Sequence, residues 1–517
     1  MSKTLIIAPP PTPNGDLHVG HMAGPYLAGD IYARYLRVSG KAVNYATGTD
    51  DSQTYVVTSA IKLGTTPEQL CRQSSDDIHN SLKLWGVELD GYAPFDEGYK
   101  SSVYQFLNPL FESGKLKKKT VKLPYSAHRG EFMVESFVAG ECPVCLAHSR
   151  GGLCENCGHP NNFDMLRRPV STLSPYEPLE YRETEILVFP VEEYRNELEV
   201  YYASKKGLWR PHILQLMDEL FSRELIDFPV TYPVSWGLPS LFPGTEGQVL
   251  NAWVEGMPAS MYCNACGEVG AEQPTEADAT WHSDTDNQLM YFLGFDNSYF
   301  WGVTHLALLM AHEGKYILPH TIVPNEFYEL ENSKFSTSRG HLIWARDLVT
   351  ELPRDYARFY LCLTSPEHNR NNFSRMALQQ ILNERLITSW NLLVSAYNAQ
   401  NWNARVDDNA ENVQEIVETM SSRLNQCCRI ETFSQSRLAD WILNHISRLQ
   451  ELITEDSSLS LWAINRQIVA LLNGMGLIMI DLREAIAPAG SPDAFSVLSL
   501  PELSLIGSDA SSKSYAS

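Results

Sequence analysis

"TLIIAPPPTPNGDLHVGHMAGPYLAGD" (residues 4–30) joins a short apolar run to a stiff proline loop and then to a glycine flanked by two imidazoles, His18 and His21. The run "TLIIA" (4–8) predicts a buried strand. A helix follows from about Gly20, with Met22, Leu27, Ile31, Tyr35 and Leu36 near helical spacing, and Gly40 ends it. "AVNYATG" (42–48) predicts a second strand, closed by polar "TDDSQ". Strand, turn, helix and strand in this order make a βαβ unit, whose crossover forces parallel pairing. Ligands of such sheets gather at the C-terminal strand ends, where His18, His21 and Asp50 fall.

A helix N-terminus presents unpaired N–H groups to phosphate. Gly20 lets a nucleotide approach the backbone there, and imidazoles at the turn can donate to phosphate oxygens as charge develops. A capped helix with satisfied histidines is the competing reading of His-Val-Gly-His alone. A second segment, "ENSKFSTSRG" (331–340), offers Lys334, Ser336, Ser338 and Arg339 in a glycine-ended loop.

The 517 residues, 44% hydrophobic, allow roughly two to four domains with cores. A net charge of −22 argues against a chain coated in nucleic acid, which needs Lys and Arg. "SGKLKKKTVK" (113–122) is the dense cationic run and reads as a solvated loop. There is no signal-peptide pattern, no apolar stretch approaches the ~20 residues of a membrane span, and "LIMIDL" is interrupted by Asp481. A cytoplasmic protein without a membrane partner is expected.

Six of the ten cysteines fall in Cys-x-x-Cys pairs, which indicates metal binding in a reducing compartment. Cys142, Cys145, Cys154 and Cys157 have the spacing of a four-thiolate structural zinc site. Cys263 and Cys266 form a lone pair: half a second site with His282, or two unligated thiols. Around "EILVFPVEEY" the apolar residues alternate as in a strand. Beyond about residue 376 the pattern is helical, and in "WILNHISRLQELI" (441–453) Trp441, His445, Leu449 and Leu452 make one core stripe.

His-Val-Gly-His after an N-terminal strand, followed far downstream by Lys-Phe-Ser-Thr-Ser, resembles the paired signatures of class I aminoacyl-tRNA synthetases. From residue 4 to about 490 the chain is similar to the methionyl-tRNA synthetase branch, through "NGDLHVGHMAGPYLAGDIYARYLRVSGKAVNYATGTDD", "ECPVCLAHSRGGLCENCGH", "GQVLNAWVEGMP" and "DYARFYLCLTSPEHNRNNFS". The resemblance implies an α/β Rossmann-like catalytic core with a zinc-knuckle connective insertion, followed by an all-α helical bundle. It maps the core's first half to 1–115, the insertion to 116–235 and the core's second half to 236–320. The KFSTS loop and linker take 321–375, the anticodon-binding-like bundle 376–500, and a disordered tail 501–517.

By the same resemblance His18, His21 and Lys334 grip the ATP triphosphate during adenylate formation. Asn14, Gly20, Asp296, Ser336 and Ser338 complete the nucleotide site, with Asp296 on the ribose. Asp50 holds the amino acid's ammonium group, and Pro10, Thr12, Trp253, Asn297, Trp301 and His305 line the side-chain pocket. ATP and a structural Zn2+ are the implied cofactors, and Mg2+ would arrive with ATP. Attack of a carboxylate on the α-phosphate is an in-line displacement, catalysed by positioning and charge.

Several positions depart from the branch. In "DNSYFWGVTH" (296–305) Asn297, Trp301 and His305 replace Ile, His and Trp at i, i+4 and i+8, so all three changes fall on one helical face. Thr12 replaces a Tyr, Thr337 replaces the second lysine of the nucleotide loop, and "TYP" (231–233) lacks an expected arginine. In the bundle Asn391 and Leu392 remain, but Ser395 replaces the anticodon-reading Arg, and Pro488 is followed by Ala489 instead of Trp. The pocket changes point to an amino acid more polar than methionine, and the bundle changes speak against ordinary anticodon readout of a methionine tRNA. Three functions stay open: a ligase charging a tRNA, a repurposed paralogue passing the acyl group to another acceptor, and a catalytically weak tRNA-binding regulator.

Overall fold

A computed structural model of the chain describes residues 2–507 apart from 163, 175, 268–273, 275, 332, 335–340, 403–408, 456–459 and 488–493, and no side chain from 332 to 340. Ser336, Ser338, Thr337, Arg339, the Pro488–Ala489 pair, the tail beyond residue 507 and the Lys334 side chain therefore lie outside the described residues. Two compact units share the chain. The first comprises 1–16, 40–80 and 88–326, the second 17–39, 81–87 and 327–517.

The first unit is built on a parallel five-stranded sheet. Its order is Pro319–Asn325, Gln288–Gly294, Lys3–Ile7, Ala42–Gly48, Gly91–Ala93. The two strands read from the N-terminal sequence are adjacent, with Leu5 opposite Asn44 and Ile7 opposite Ala46. Leu5, Ile6, Leu289, Tyr291 and Phe292 are all buried, as expected of a sheet covered on both faces. Strand order reverses at Lys3–Ile7, so the crevice for ligands opens at its C-terminal end.

The insertion forms antiparallel sheets. Lys117–Ser126 pairs along Glu180–Phe189, which makes the cationic run a strand and not the solvated loop expected. Three of its four lysines are matched: Lys118 with Glu185 (3.4 Å), Lys119 with Asp227 (2.5 Å) and Lys122 with Glu183 (3.7 Å). Cross-strand neutralisation of this kind leaves little charge for phosphate. Next to it, Val138–Glu141, His148–Arg150 and Arg167–Ser171 carry the cysteine loops.

The second unit begins with the segment expected to be one helix. It is three pieces: a turn Val19–His21, a π-turn Met22–Tyr26 and an α-helix Leu27–Val38. Gly24 leaves helical geometry (φ −98°, ψ −123°) ahead of Pro25, which has no N–H to continue the ladder. The rest is helical, chiefly Arg354–Leu363, Thr388–Ala399, Ala410–Cys428, Gln435–Glu455 and Leu461–Ile478. Trp441, Ile442, Ile446, Leu449 and Ile453 form the buried stripe of Gln435–Glu455, while Leu452 is half-buried. Leu461–Ile478 is, against the expectation from the sequence, long and apolar enough to cross a membrane by length and composition. Its 18 residues are 72% buried, so it serves as the bundle's central helix.

Arg358, wholly buried, ties this unit together. It donates to Asp30 Oδ2 (2.7 Å), Trp85 O (3.0 Å), Ile478 O (2.7 Å) and Leu477 O (3.1 Å). Replacing one partner leaves a buried charge without its counter-ion. Arg358→Ala is expected to destabilise the chain by about 3–5 kcal/mol in denaturant titrations. Exposed Arg385, paired with Asp440 at 3.3 Å, should cost under about 1 kcal/mol when replaced in the same way.

Candidate active site

At the C-terminal end of Ala42–Gly48 the chain turns through Thr49–Gln53 and presents Asp50. Its backbone N–H donates to Pro11 O (3.0 Å), which fixes the proline loop bearing Pro10, Thr12 and Asn14 beside it. Gln53 Nε2 donates to Asp50 Oδ2 (2.8 Å), and Oδ1 is enclosed without a partner. Burial, only partly offset by Gln53, pushes the Asp50 carboxyl up to about 8, and Asp51 and Glu135 push in the same direction. Burial also lifts Asp51 to about 6 and Glu135 to about 7, and holds Glu255 well above the carboxylate range.

Glu255, fully buried on the helix Ala252–Cys266, accepts from Ser52 Oγ (2.9 Å) and Tyr99 OH (3.3 Å) through Oε2, while Oε1 has no partner. Among the described residues, none of these four acids forms an ion pair. A cluster of this kind resists ionisation until a cation arrives.

The helix Ala252–Cys266 starts at Asn251, whose Oδ1 accepts from Trp253 N–H (3.2 Å). Trp253 stacks on Phe300 at 3.9 Å and 12°. His305 Nε2 donates to Trp253 O (2.6 Å), and the His305 ring meets Trp301 edge-on at 4.8 Å. Trp301 in turn meets Tyr291 at 5.1 Å.

The segment carrying these groups is not a uniform helix. Phe295–Asn297 is a 3-10 turn, Phe300–Thr304 a π-turn and His305–Ala311 an α-helix. Tyr202 OH donates to Gly302 O (2.7 Å) inside the π-turn. The i, i+4, i+8 face is therefore interrupted. Trp301 and His305 meet, whereas Asn297 Nδ2 lies against Asp296 Oδ1 at 3.3 Å in the preceding turn.

In the second unit, His18 and His21 stack at 3.8 Å and 18°, and His18 N–H donates to His21 Nδ1 (3.2 Å). Gly20 lies between them, and Val19 N–H donates to Ile343 O (2.9 Å). The backbone of Lys334 pairs opposite Glu329 in a short antiparallel ladder. Pro10, Thr12, Asn14, Asp50, Trp253, Asp296, Asn297, Trp301 and His305 belong to the first unit, and His18, Gly20, His21 and Lys334 to the second.

Cys142, Cys145, Cys154 and Cys157 converge: their four sulfurs lie within 4.8 Å of one another, with Cys142–Cys157 at 3.8 Å and Cys145–Cys154 at 3.6 Å. A tetrahedron of thiolates about 2.3 Å from a central ion has edges of roughly 3.8 Å, so the set fits a tetrahedral metal. Each Cys-x-x-Cys is followed by a left-handed residue, Leu146 (φ 63°) and Gly158 (φ 73°), whose own N–H donates back to the first cysteine's carbonyl (3.0 and 2.8 Å). Cys263 and Cys266 are buried and gather no third ligand among the described residues, while His282 lies 3.2 Å from Asp278.

Asn391, which the resemblance assigns to anticodon reading, is occupied by the chain itself. Its Nδ2 donates to Leu503 O and its Oδ1 accepts from Leu503 N–H, both at 2.8 Å. Asn383 clasps Ile506 in the same way (3.0 and 2.9 Å), and Trp390 Nε1 donates to Pro501 O (2.8 Å). Residues 494–507 thus form a strap along Thr388–Ala399 and the turn before it.

A parallel sheet with its switch point at the first strand, a four-cysteine knuckle and a helical bundle define a Rossmann-like α/β protein with a metal-binding insertion. The family described as tRNA synthetases class I (M) matches residues 4–396, and the chain belongs to it. It is 29% identical over 399 residues to a methionine–tRNA ligase of Bacteroides fragilis, covering 76% of this chain and 57% of that protein. With the corresponding enzyme of Thermomicrobium roseum it shares 30% over 386 residues, or 74% and 66% of the two chains. The chain thus spans a little over half the length of most of these relatives. Its fold is similar to that of Mycobacterium tuberculosis methionyl-tRNA synthetase in complex with methionyl-adenylate, with TM-score 0.70, 18% identity, and 94% and 93% of the chains covered.

Glu255, Glu135 and Gln53 are neighbours of Asp50 that sequence reasoning missed. Gln53 was open to it, being three residues after Asp50 in a polar run. Glu255 had no local signal, because its environment comes from Ser52 and Tyr99, far away in the chain.

The raised carboxyls set a pH dependence. The folded chain keeps the Asp50 proton from the ordinary 3.8 up to about 8, whereas an unfolded chain releases it near the former. The native state therefore binds more protons across that window, and stability falls as pH rises through it. Asp50→Asn should flatten the decline of the thermal midpoint between pH 5 and pH 8, and raise the midpoint at pH 8 by about 2 °C. A variant slope equal to the wild type's in calorimetry would contradict the assignment.

Proposed function

We propose that the chain is an ATP-dependent aminoacyl-adenylate-forming ligase with an altered amino-acid pocket. The observation that carries the reading is the unpartnered Oδ1 of buried Asp50 at the switch-point crevice of a class I synthetase fold. Asp50 holds the α-ammonium, and binding shifts its carboxyl to the ionised form. The substrate carboxylate attacks the α-phosphorus of ATP, the bond to the bridging oxygen breaks, and pyrophosphate leaves. His18, His21 and Lys334 donate to the phosphate oxygens as charge accumulates. Asn14, Gly20, Ser336 and Ser338 line the nucleotide, Asp296 takes the ribose, and Mg2+ accompanies the phosphates. The four cysteines hold a structural zinc with all positions filled, so it takes no part in the reaction.

Pro10, Thr12, Trp253, Asn297, Trp301 and His305 form the side-chain pocket, and its polar content disfavours methionine. A tRNA is the family's acceptor. A second reading, transfer to an acceptor other than tRNA, is favoured by the engagement of Asn391 with Leu503 and by Ser395 where the branch has an arginine.

ATP–pyrophosphate exchange across proteinogenic and unusual amino acids tests the activity. His21→Ala and Lys334→Ala are each expected to slow exchange with the preferred acid by roughly 10²-fold or more. Near-normal exchange in both would remove them from the site. Elemental analysis of metal-replete protein should give one zinc per chain, and the Cys142→Ser/Cys145→Ser double variant none. Zinc retained in that variant would refute the cluster's role.

A further inference from the structure

His305 is wholly buried, and its imidazole is held by two contacts that fix its chemistry. Nε2 is 2.6 Å from Trp253 O, and a carbonyl only accepts, so Nε2 carries the proton. Burial also pulls the imidazole down to about 4, so the ring is neutral at physiological pH. Nδ1 is then a bare lone pair. It is enclosed and has no hydrogen-bond partner.

The Cε1–Nε2 edge of the ring is seated against the helix Ala252–Cys266. A Cβ at Gly256 would stand 2.9 Å from His305 Cε1 and 3.5 Å from Nε2, so only glycine admits the imidazole there. Trp301 closes another side, edge-on at 4.8 Å. A buried acceptor left unpaired carries a desolvation penalty that a bound donor would relieve.

Trp253 Nε1, a donor, is also enclosed without a partner, whereas three unfilled side-chain oxygens of the same unit can only accept. Asp50 Oδ1 and Gln53 Oε1 at the end of Ala42–Gly48, and Glu255 Oε1 beside Gly256, are acceptors without a partner. Methionine offers no donor in its side chain.

We infer that His305 is a specificity residue of the amino-acid pocket, and that the side chain it selects ends in a hydrogen-bond donor, an amine or a hydroxyl, received by Nδ1. This rests on the altered-pocket reading above and adds to it the accepting atom and the class of substrate. A site built to receive a donor rejects the isostere lacking it strongly.

The test uses the full chain in ATP–pyrophosphate exchange with matched pairs: ornithine against norleucine, homoserine against norvaline, threonine against valine. The wild type should prefer the donor member of its best pair by about 10³-fold or more in kcat/KM. His305→Phe should reduce that ratio to below about 10-fold with the KM for ATP unchanged, and His305→Gln, which keeps an acceptor, should restore part of it. In 15N-histidine-labelled wild type, the Nδ1 resonance should start at the unprotonated position and move when the preferred acid is added.

A donor preference that survives intact in His305→Phe, or an Nδ1 signal unmoved by a saturating preferred acid, overturns the His305 assignment and leaves the altered pocket standing. Best exchange with methionine or norleucine overturns the altered pocket itself. Exchange with no member of the panel, together with an unmoved Nδ1 signal, overturns both.

Discussion

The helical unit depends on one buried guanidinium. Arg358 sits without solvent contact and binds Asp30 together with carbonyls from two other segments of the chain. A buried cation is tolerated only where its charge is matched and its N–H groups are placed, and here three remote stretches must be in position at once. Asp30 belongs to the helix that follows His18 and His21, and it also accepts from Arg34 at 2.9 Å. The same contacts that satisfy Arg358 thus anchor the first turn of Leu27–Val38, one π-turn beyond the stacked imidazoles.

In the first unit the balance is reversed. Asp50, Asp51, Glu135 and Glu255 are gathered near one strand end with hydroxyls, an amide and backbone N–H groups for partners, and no ion pair among the described residues. Exclusion of solvent raises the pKa of all four. Each such group costs stability in the free protein, the usual signature of a site built for a charged ligand and not for the fold. The two units therefore treat buried charge in opposite ways, one neutralising it internally and the other leaving acceptors unfilled.

The strap along Thr388–Ala399 bears on the acceptor. Asn391 makes both of its hydrogen bonds to Leu503, and Leu498, Leu500 and Ile506 bury their side chains. An amide paired with backbone in this way is not available to a nucleobase unless the strap moves. Ser395, exposed on the same helix, offers no guanidinium in compensation.

Local spacing carried much of this protein's architecture in its sequence alone. Strand periodicity and the proline–glycine turn gave the parallel pair Lys3–Ile7 and Ala42–Gly48, and the cysteine spacing gave the four-sulfur cluster, because each depends on residues close in the chain. Helical stripes likewise marked the bundle. Tertiary structure decided what depends on distant neighbours. Lysines 118, 119 and 122 read as a solvated loop until the facing strand and Asp227 supplied their carboxylates. Leu461–Ile478 exceeded the expected apolar length because other helices cover it. Asn297 left the face of Trp301 and His305 because a 3-10 turn and a π-turn broke the helical period. The proton on His305 is set by a carbonyl 52 residues earlier, at Trp253, and no reading of "DNSYFWGVTH" alone could place it.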